Sequence, residues 1–123
     1  ALCRQCVDIS LGFTLAHVGI NHADADAALA TTAAFSKLFR LPVKDGNSSA
    51  FAGTAVESMK KPFYGEKGHI GFRTRSVERA LAWYRAQGVA VREESIRRTA
   101  DGSRLQSFYL AGEPGGFAVH VVK

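Results

Sequence analysis

The chain has 123 residues, enough for one domain of ordinary size, and its 46% hydrophobic and 22% charged content is that of a water-soluble globular fold. Sixteen Lys and Arg against eleven Asp and Glu leave it basic, but the cations are scattered through "MKKP", "RTR", "VERALAWYR" and "IRRT". No nucleic-acid motif or like-charge block stands out, so most of these cations read as a solvated surface, with one or two arginines near a cleft to meet the carboxylate or phosphate of a small anionic metabolite.

No apolar run approaches the roughly 20 residues of a membrane helix, and the N-terminus lacks the order of a secretory signal. The expected setting is the cytoplasm, with neither membrane nor nucleic acid as partner. Residues 1–12, "ALCRQCVDISLG", read as the end of a helix followed by a turn. The chain begins in mid-pattern and without Met, as a piece of a longer protein would, so this stretch is taken as a tail or linker closing a preceding domain. Cys3 and Cys6 form a C-x-x-C, but there is no further cysteine to complete a zinc site and no preceding strand to build a redox motif. One face of a short helix is the simpler placement.

Strand one is "FTLAHVGIN", where alternation leaves both faces half-apolar. A helix follows from Asp24 to Phe39, with Asp24 as N-cap, Asp26 in the first turn and Pro42 beyond the end. Leu29, Thr32, Phe35, Leu38 and Phe39 form its apolar stripe. Short strands are predicted at about 42–45, 48–52 and 54–60, with "DGNSS" and "AGT" as turns. The second half repeats the order. "HIGFRTR" is a strand, Ser76 caps a helix carrying Val77, Ala80, Leu81 and Tyr84, and Gly88 ends it. "VAVREESIRRT", "RLQSFYL" and "GFAVHVV" complete the set. Each half is therefore βαβββ, and a duplication of that size is an architectural signal.

The repeat extends to single residues. "AHVGI" at 16–20 returns as "GHIGF" at 68–72, and "GTAVE" at 53–57 as "GFAVH" at 116–120. Side chains alternate across a strand, so His17 shares a face with Gly19, and His69 shares one with Gly71 and Arg73. The glycines leave that face open to an approaching group. Glu57 and His120 occupy matching positions in the fourth strands. If the halves pair, His17, Glu57, His69 and His120 converge as a donor set for one divalent ion: Zn, Ni, Co, Mn or Fe(II). A lone strand histidine is usually a satisfied, half-buried residue. That reading fails here on coincidence, because three of the four histidines fall at repeat-related positions. His22 is the outsider, read as a loop residue before the helix cap.

The duplicated pattern carrying "HVGI", "HIGF", "GTAVE" and "GFAVH" resembles the vicinal oxygen chelate superfamily, which includes glyoxalase I, extradiol dioxygenases and fosfomycin-resistance proteins. The likeness covers about residues 13–122. It implies an α+β fold in which two βαβββ modules, here 13–66 and 67–123, form an open, incomplete barrel with helices outside. It also implies one divalent metal held by the first and last strands of each module, at His17, Glu57, His69 and His120. Glyoxalase I carries a carboxylate in its last strand, in a pattern like G-x-x-x-E, where this chain has "GFAVH". Glu57 is then the remaining carboxylate base, with His120 as the other candidate proton carrier. Extradiol dioxygenases use two His and one carboxylate, which a four-donor set matches less well. The run "ALCRQCVDISLGFTLAHVGIN", with "KDGNSSAFAG" and "GEKGHIGFRT", is also similar to a C-terminal extension on some bacterial 2-keto-3-deoxy-6-phosphogluconate/4-hydroxy-2-oxoglutarate aldolases. That resemblance implies covalent fusion to an aldolase domain, whose Schiff-base lysine lies in the barrel and not in this stretch. It also implies a keto- or sugar-acid ligand.

Two main functions compete. One is a metal-dependent enzyme, an isomerase, epimerase or lyase, that draws a proton from carbon next to a chelated keto- or hydroxy-acid. Glu57 or His120 would move the proton, and Arg73, sharing the face of His69, would hold the substrate's anionic group. Arg75, Arg92 and Arg98 are secondary candidates. The other is a non-catalytic module that binds a metabolite or helps an attached aldolase assemble. A regulatory amino-acid-binding sandwich is a third reading, one that leaves the repeated histidines unexplained. Open sheet edges make a homo-oligomer the expectation.

Overall fold

The computed structural model describes residues 4–123. A short helix, α1 (Arg4–Ser10), precedes two βαβββ modules. The first comprises β1 (Thr14–Asn21), α2 (Ala25–Phe39), β2 (Val43–Asp45), β3 (Ser49–Ala52) and β4 (Val56–Met59). The second comprises β5 (Gly68–Arg73), α3 (Val77–Ala86), β6 (Val91–Arg98), β7 (Leu105–Leu110) and β8 (Phe117–Val122), with a single 3₁₀ turn at Pro114–Gly116. The eight strands form one mixed sheet in the order β2-β3-β4-β1-β5-β8-β7-β6. The α+β class and paired modules are those expected from the repeat.

The same rule builds each module: the first strand pairs parallel with the last, and the remaining pairs are antiparallel. The modules join within one chain through an antiparallel β1–β5 pair. That seam sets His17 opposite Gly71 and Gly19 opposite His69. A bulge between Leu15 and His17 shifts the strand just before the histidine.

Local chemistry explains the starts of the two module helices, α2 and α3. The Asp24 side chain accepts from the Ala27 N–H at 2.8 Å, and Ser76 accepts from the Arg79 N–H at 3.2 Å, each satisfying a first-turn donor. Helix α2 ends at Arg40, which takes a left-handed conformation at φ 56° ahead of Pro42.

The main apolar core lies under α3. Val77, Ala80 and Leu81 meet Leu105, Phe108 and Val121, and Leu11 closes the cluster from the N-terminal side. Leu11 is also tied by its carbonyl to the Thr74 hydroxyl at 2.7 Å and the Arg75 N–H at 2.8 Å. The end of the expected tail is thus docked on the second module. Cys6 is exposed on α1, and Cys3 lies outside the described residues.

The first module packs differently. Helix α2 buries Ala28 and Thr32 over Ala50, Ala52 and Ser58 of the sheet. This corrects the predicted stripe. Leu38 and Phe39 are 71% and 65% exposed, while the helix's buried residues, Ala28 and Thr32, lie in its N-terminal half. Phe39 stacks instead on Phe35, with ring centroids 6.4 Å apart.

Candidate metal and ligand site

The seam places the two repeat histidines against each other. Nε2 of His17 lies 3.1 Å from Nε2 of His69. The glycines explain how: a Cβ on Gly19 would sit 2.0 Å from the His69 ring, and one on Gly71 2.3 Å from the His17 ring. The open face expected beside each histidine is therefore filled by the histidine of the other module.

The last strands complete the group. Oε1 of Glu57 lies 3.0 Å from His69 Nε2 and 3.8 Å from His17 Nε2. Its other oxygen, Oε2, accepts from the Ser49 hydroxyl at 2.7 Å, which fixes the carboxylate's orientation. The ligating atoms of His17, His69 and His120 all lie within 4.8 Å of one another. The rings of His17 and His69 each stand edge-on to His120 at 5.7 Å between centroids. All four residues singled out by the repeat are thus brought together.

The strands beside them repeat as well. Phe51 on β3 sits opposite Glu57, and Tyr109 on β7 sits opposite His120. Tyr109 lies flat on His120, with centroids 4.0 Å apart and planes 4° from parallel. Phe51 approaches His17 edge-on at 6.4 Å, as Tyr109 approaches His69 at 5.9 Å. Sequence reasoning missed Phe51, Tyr109 and Ser49. The parallel between "FAG" at 51–53 and "YLAG" at 109–112 was the available signal, masked by the longer turn before β8.

Burial shapes the charges. It lowers the His17 imidazole below its ordinary range, helped by His69. It lowers His120 further, to about 3, again with His69 and His17 adding to the effect. Burial pushes the Glu57 carboxyl up, but hydrogen bonds with His69 and Ser49 and the fields of His69 and His17 outweigh it and hold it below the usual value. Burial and the nearby Glu57 charge push the Tyr109 phenol up, so it stays protonated. The set at neutral pH is an ionised carboxylate facing imidazoles, of which His17 and His120 are neutral, with lone pairs to offer.

The three histidines could hold a divalent ion, with Glu57 beside them. Ligand distances of about 2.0–2.1 Å put neighbouring donors on the order of 3.0–3.4 Å apart; His17, His69 and Glu57 lie 3.0, 3.1 and 3.8 Å apart, and His120 joins the other two imidazoles within 4.8 Å. Nδ1 of His69 and of His120 are both buried without a hydrogen-bond partner. His69 faces His17 and Glu57 with Nε2, so its Nδ1 would need a separate partner when an ion is held there.

A cavity of about 530 Å³ opens on the cluster, lined by Glu57, His69 and His120. Its walls carry Phe63, Tyr64 and Tyr109, and the cations on its lining are Lys61 and Arg97. Arg73 is placed elsewhere: it is exposed at the end of β5, between Thr14 and Val122, and is not part of the lining. Its field still contributes to lowering His17. Arg92 is committed to Glu113 at 3.0 Å and to the face of Tyr64 at 4.4 Å. Arg75 and Arg98 are not part of the lining. His22 is a bridge, with its ring nitrogens 3.2 Å from the Met59 carbonyl and 2.7 Å from the Thr31 hydroxyl.

Comparison with known proteins agrees with this architecture. Methylmalonyl-CoA epimerase of Streptomyces coelicolor, solved with 2-nitronate-propionyl-CoA, superposes with a TM-score of 0.60 at 22% identity. The match covers 88% of this chain and 94% of that one. The epimerase of Mycobacterium tuberculosis gives a TM-score of 0.56 at 19% identity over 88% and 85%. A hypothetical protein from Bacillus halodurans C-125 gives 0.57 at 15% over 89% and 93%. At these identities the likeness establishes a shared fold. No protein-family model matches the chain, and no curated protein matches it by sequence.

Proposed function

We propose that this domain is a divalent-metal-dependent enzyme that moves a proton at carbon next to a carbonyl of a small acid or its acyl derivative, in isomerisation or epimerisation. The observation carrying this reading is the cluster of His17, His69 and His120 with Glu57 beside it, of which Glu57, His69 and His120 line a ligand-sized cavity. The three imidazoles would hold the ion, with Glu57 at an exchangeable fourth position. A bound ion supplies Lewis-acid polarisation of the substrate carbonyl, which acidifies the neighbouring C–H.

Glu57 is the proton carrier. It is ionised, it lines the cavity, and Ser49 holds its Oε2 while Oε1 faces the histidines. It takes the proton from carbon, leaving the electron pair delocalised onto the carbonyl oxygen, and returns the proton to the same carbon or its neighbour. His120 has a holding role, because the flat contact with Tyr109 fixes its ring in one orientation. The epimerase neighbours support this class of reaction, and the resemblance to the aldolase extension supports a keto-acid ligand.

The test joins metal content with isotope exchange. Purified domain should hold near one ion per chain, and His17→Ala and His69→Ala should lose it while remaining folded. Metal-loaded protein in D₂O should exchange the α-proton of a substrate drawn from keto acids, hydroxy acids and their thioesters. Glu57→Gln should abolish exchange with metal retained. Metal without exchange across the panel would leave a binding or assembly module, and no metal after reconstitution would end the metalloenzyme reading.

A further inference from the structure

The cavity is larger than a simple keto acid needs. At about 30 Å³ per water-sized group, 530 Å³ accommodates far more than a three-carbon acid chelated beside the histidines. The space beyond the histidines has its own chemistry. Phe63, Tyr64 and Tyr109 form a cluster with centroid separations of 4.3, 5.0 and 5.8 Å. Phe63 stands 42% exposed at the wall. Exposed aromatic surface in a concave site is a surface for a flat or apolar ligand segment.

Lys61 and Arg97 are exposed on the same lining, and neither has an ion-pair partner among the described residues. Glu94 is the lining's one carboxylate besides Glu57, so the outer part of the cavity is net positive. The charge of Arg97 reaches inward far enough to act on both Tyr109 and His120. Arg92, by contrast, is neutralised by Glu113 and serves to back Tyr64.

We infer that the ligand is an extended acid with three parts: a head with two neighbouring oxygens, a flat apolar middle against Phe63, Tyr64 and Tyr109, and a second anionic group, carboxylate or phosphate, at Arg97 and Lys61. This deepens the proposed function and rests on it for the head alone. The tail subsite is built from residues that hold no part of the metal set. Arg97 is the principal anion partner, since its planar fork binds carboxylate or phosphate oxygens in pairs.

The experiment uses four probes with Co(II)-loaded and metal-free protein: pyruvate, phenylglyoxylate, and phenylglyoxylate bearing a para carboxylate or a para phosphonate. Calorimetry gives affinity, and the Co(II) absorption spectrum reports the head. Affinity should rise about tenfold from pyruvate to phenylglyoxylate and about tenfold again with either para anion. The stronger para anion identifies the natural group. Arg97→Gln should erase only the second gain, and Phe63→Ala should reduce the first. The para-anion advantage and its loss in Arg97→Gln should persist without metal. Equal affinity for phenylglyoxylate and both para-anion probes, or an Arg97→Gln variant indistinguishable from wild type, overturns the inference. Absence of any Co(II) spectral change with pyruvate counts instead against the proposed function.

Discussion

The two modules share a connectivity and a site geometry but not a core. In the second, α3 sets Val77 and Leu81 against Leu105, Phe108 and Val121, all buried. In the first, α2 sets Ala28 and Thr32 on Ala50, Ala52 and Ser58, and leaves Leu38 and Phe39 in solvent. One module is filled by large side chains, and the other by letting helix and sheet approach closely. The difference shows that the duplicated feature is the backbone path that aims the site strands, since two unlike packings deliver histidines to equivalent places.

The strongest way to break this comparison is to remove Phe108, the largest fully buried side chain among the described residues. Phe108→Ala should cost about 3–5 kcal/mol in denaturant unfolding, whereas Leu38→Ala should stay within about 0.5 kcal/mol. Equal losses would mean that the first module carries as much apolar packing as the second. At the seam the modules should behave alike. Gly19→Ala and Gly71→Ala each put a methyl group into the opposite imidazole, and both should cut metal binding at least tenfold by elemental analysis of folded protein. A metal-replete Gly19→Ala protein would show that the rings do not need their present approach.

Close approach makes the first module sensitive to added volume. Ala28→Leu should destabilise by about 1–3 kcal/mol in thermal or denaturant melts, because Ala28 is fully buried against the sheet. Acid should act on both modules through the site. His120, lowered to about 3, and His17, also lowered, take up protons in the unfolded chain before the folded one. Stability of metal-free protein should therefore fall as pH drops below about 6.5. Glu57, lowered too, adds to the loss as pH falls through the carboxylate range. Melting metal-free His120→Ala beside wild type across that range checks it: the variant's curve should be flatter. The smallest effects should be matched ones. Asp24→Ala and Ser76→Ala each remove one N-cap bond and should cost about 1 kcal/mol apiece, measured by the same unfolding curves.

The amino-acid sequence by itself determined the module order, the helix starts and the four converging residues. These are read from local terms: a cap bond reaches three residues, strand alternation has period two, and a repeat maps one position onto another. The chain-long βαβββ order and the set of His17, Glu57, His69 and His120 were legible for that reason. What only the tertiary structure decided depends on distances across the sheet. Those distances place Arg97 and Lys61 on the cavity lining in preference to Arg73, and lay Tyr109 flat on His120. They also fill the space beside each glycine with the other module's imidazole. Pairing of β1 with β5 joins residues some fifty positions apart, and no local preference records which side chain an opposite strand will supply. The unlike cores have the same origin: a helix seats where the sheet beneath it is smooth enough, and that surface exists only once the strands have paired.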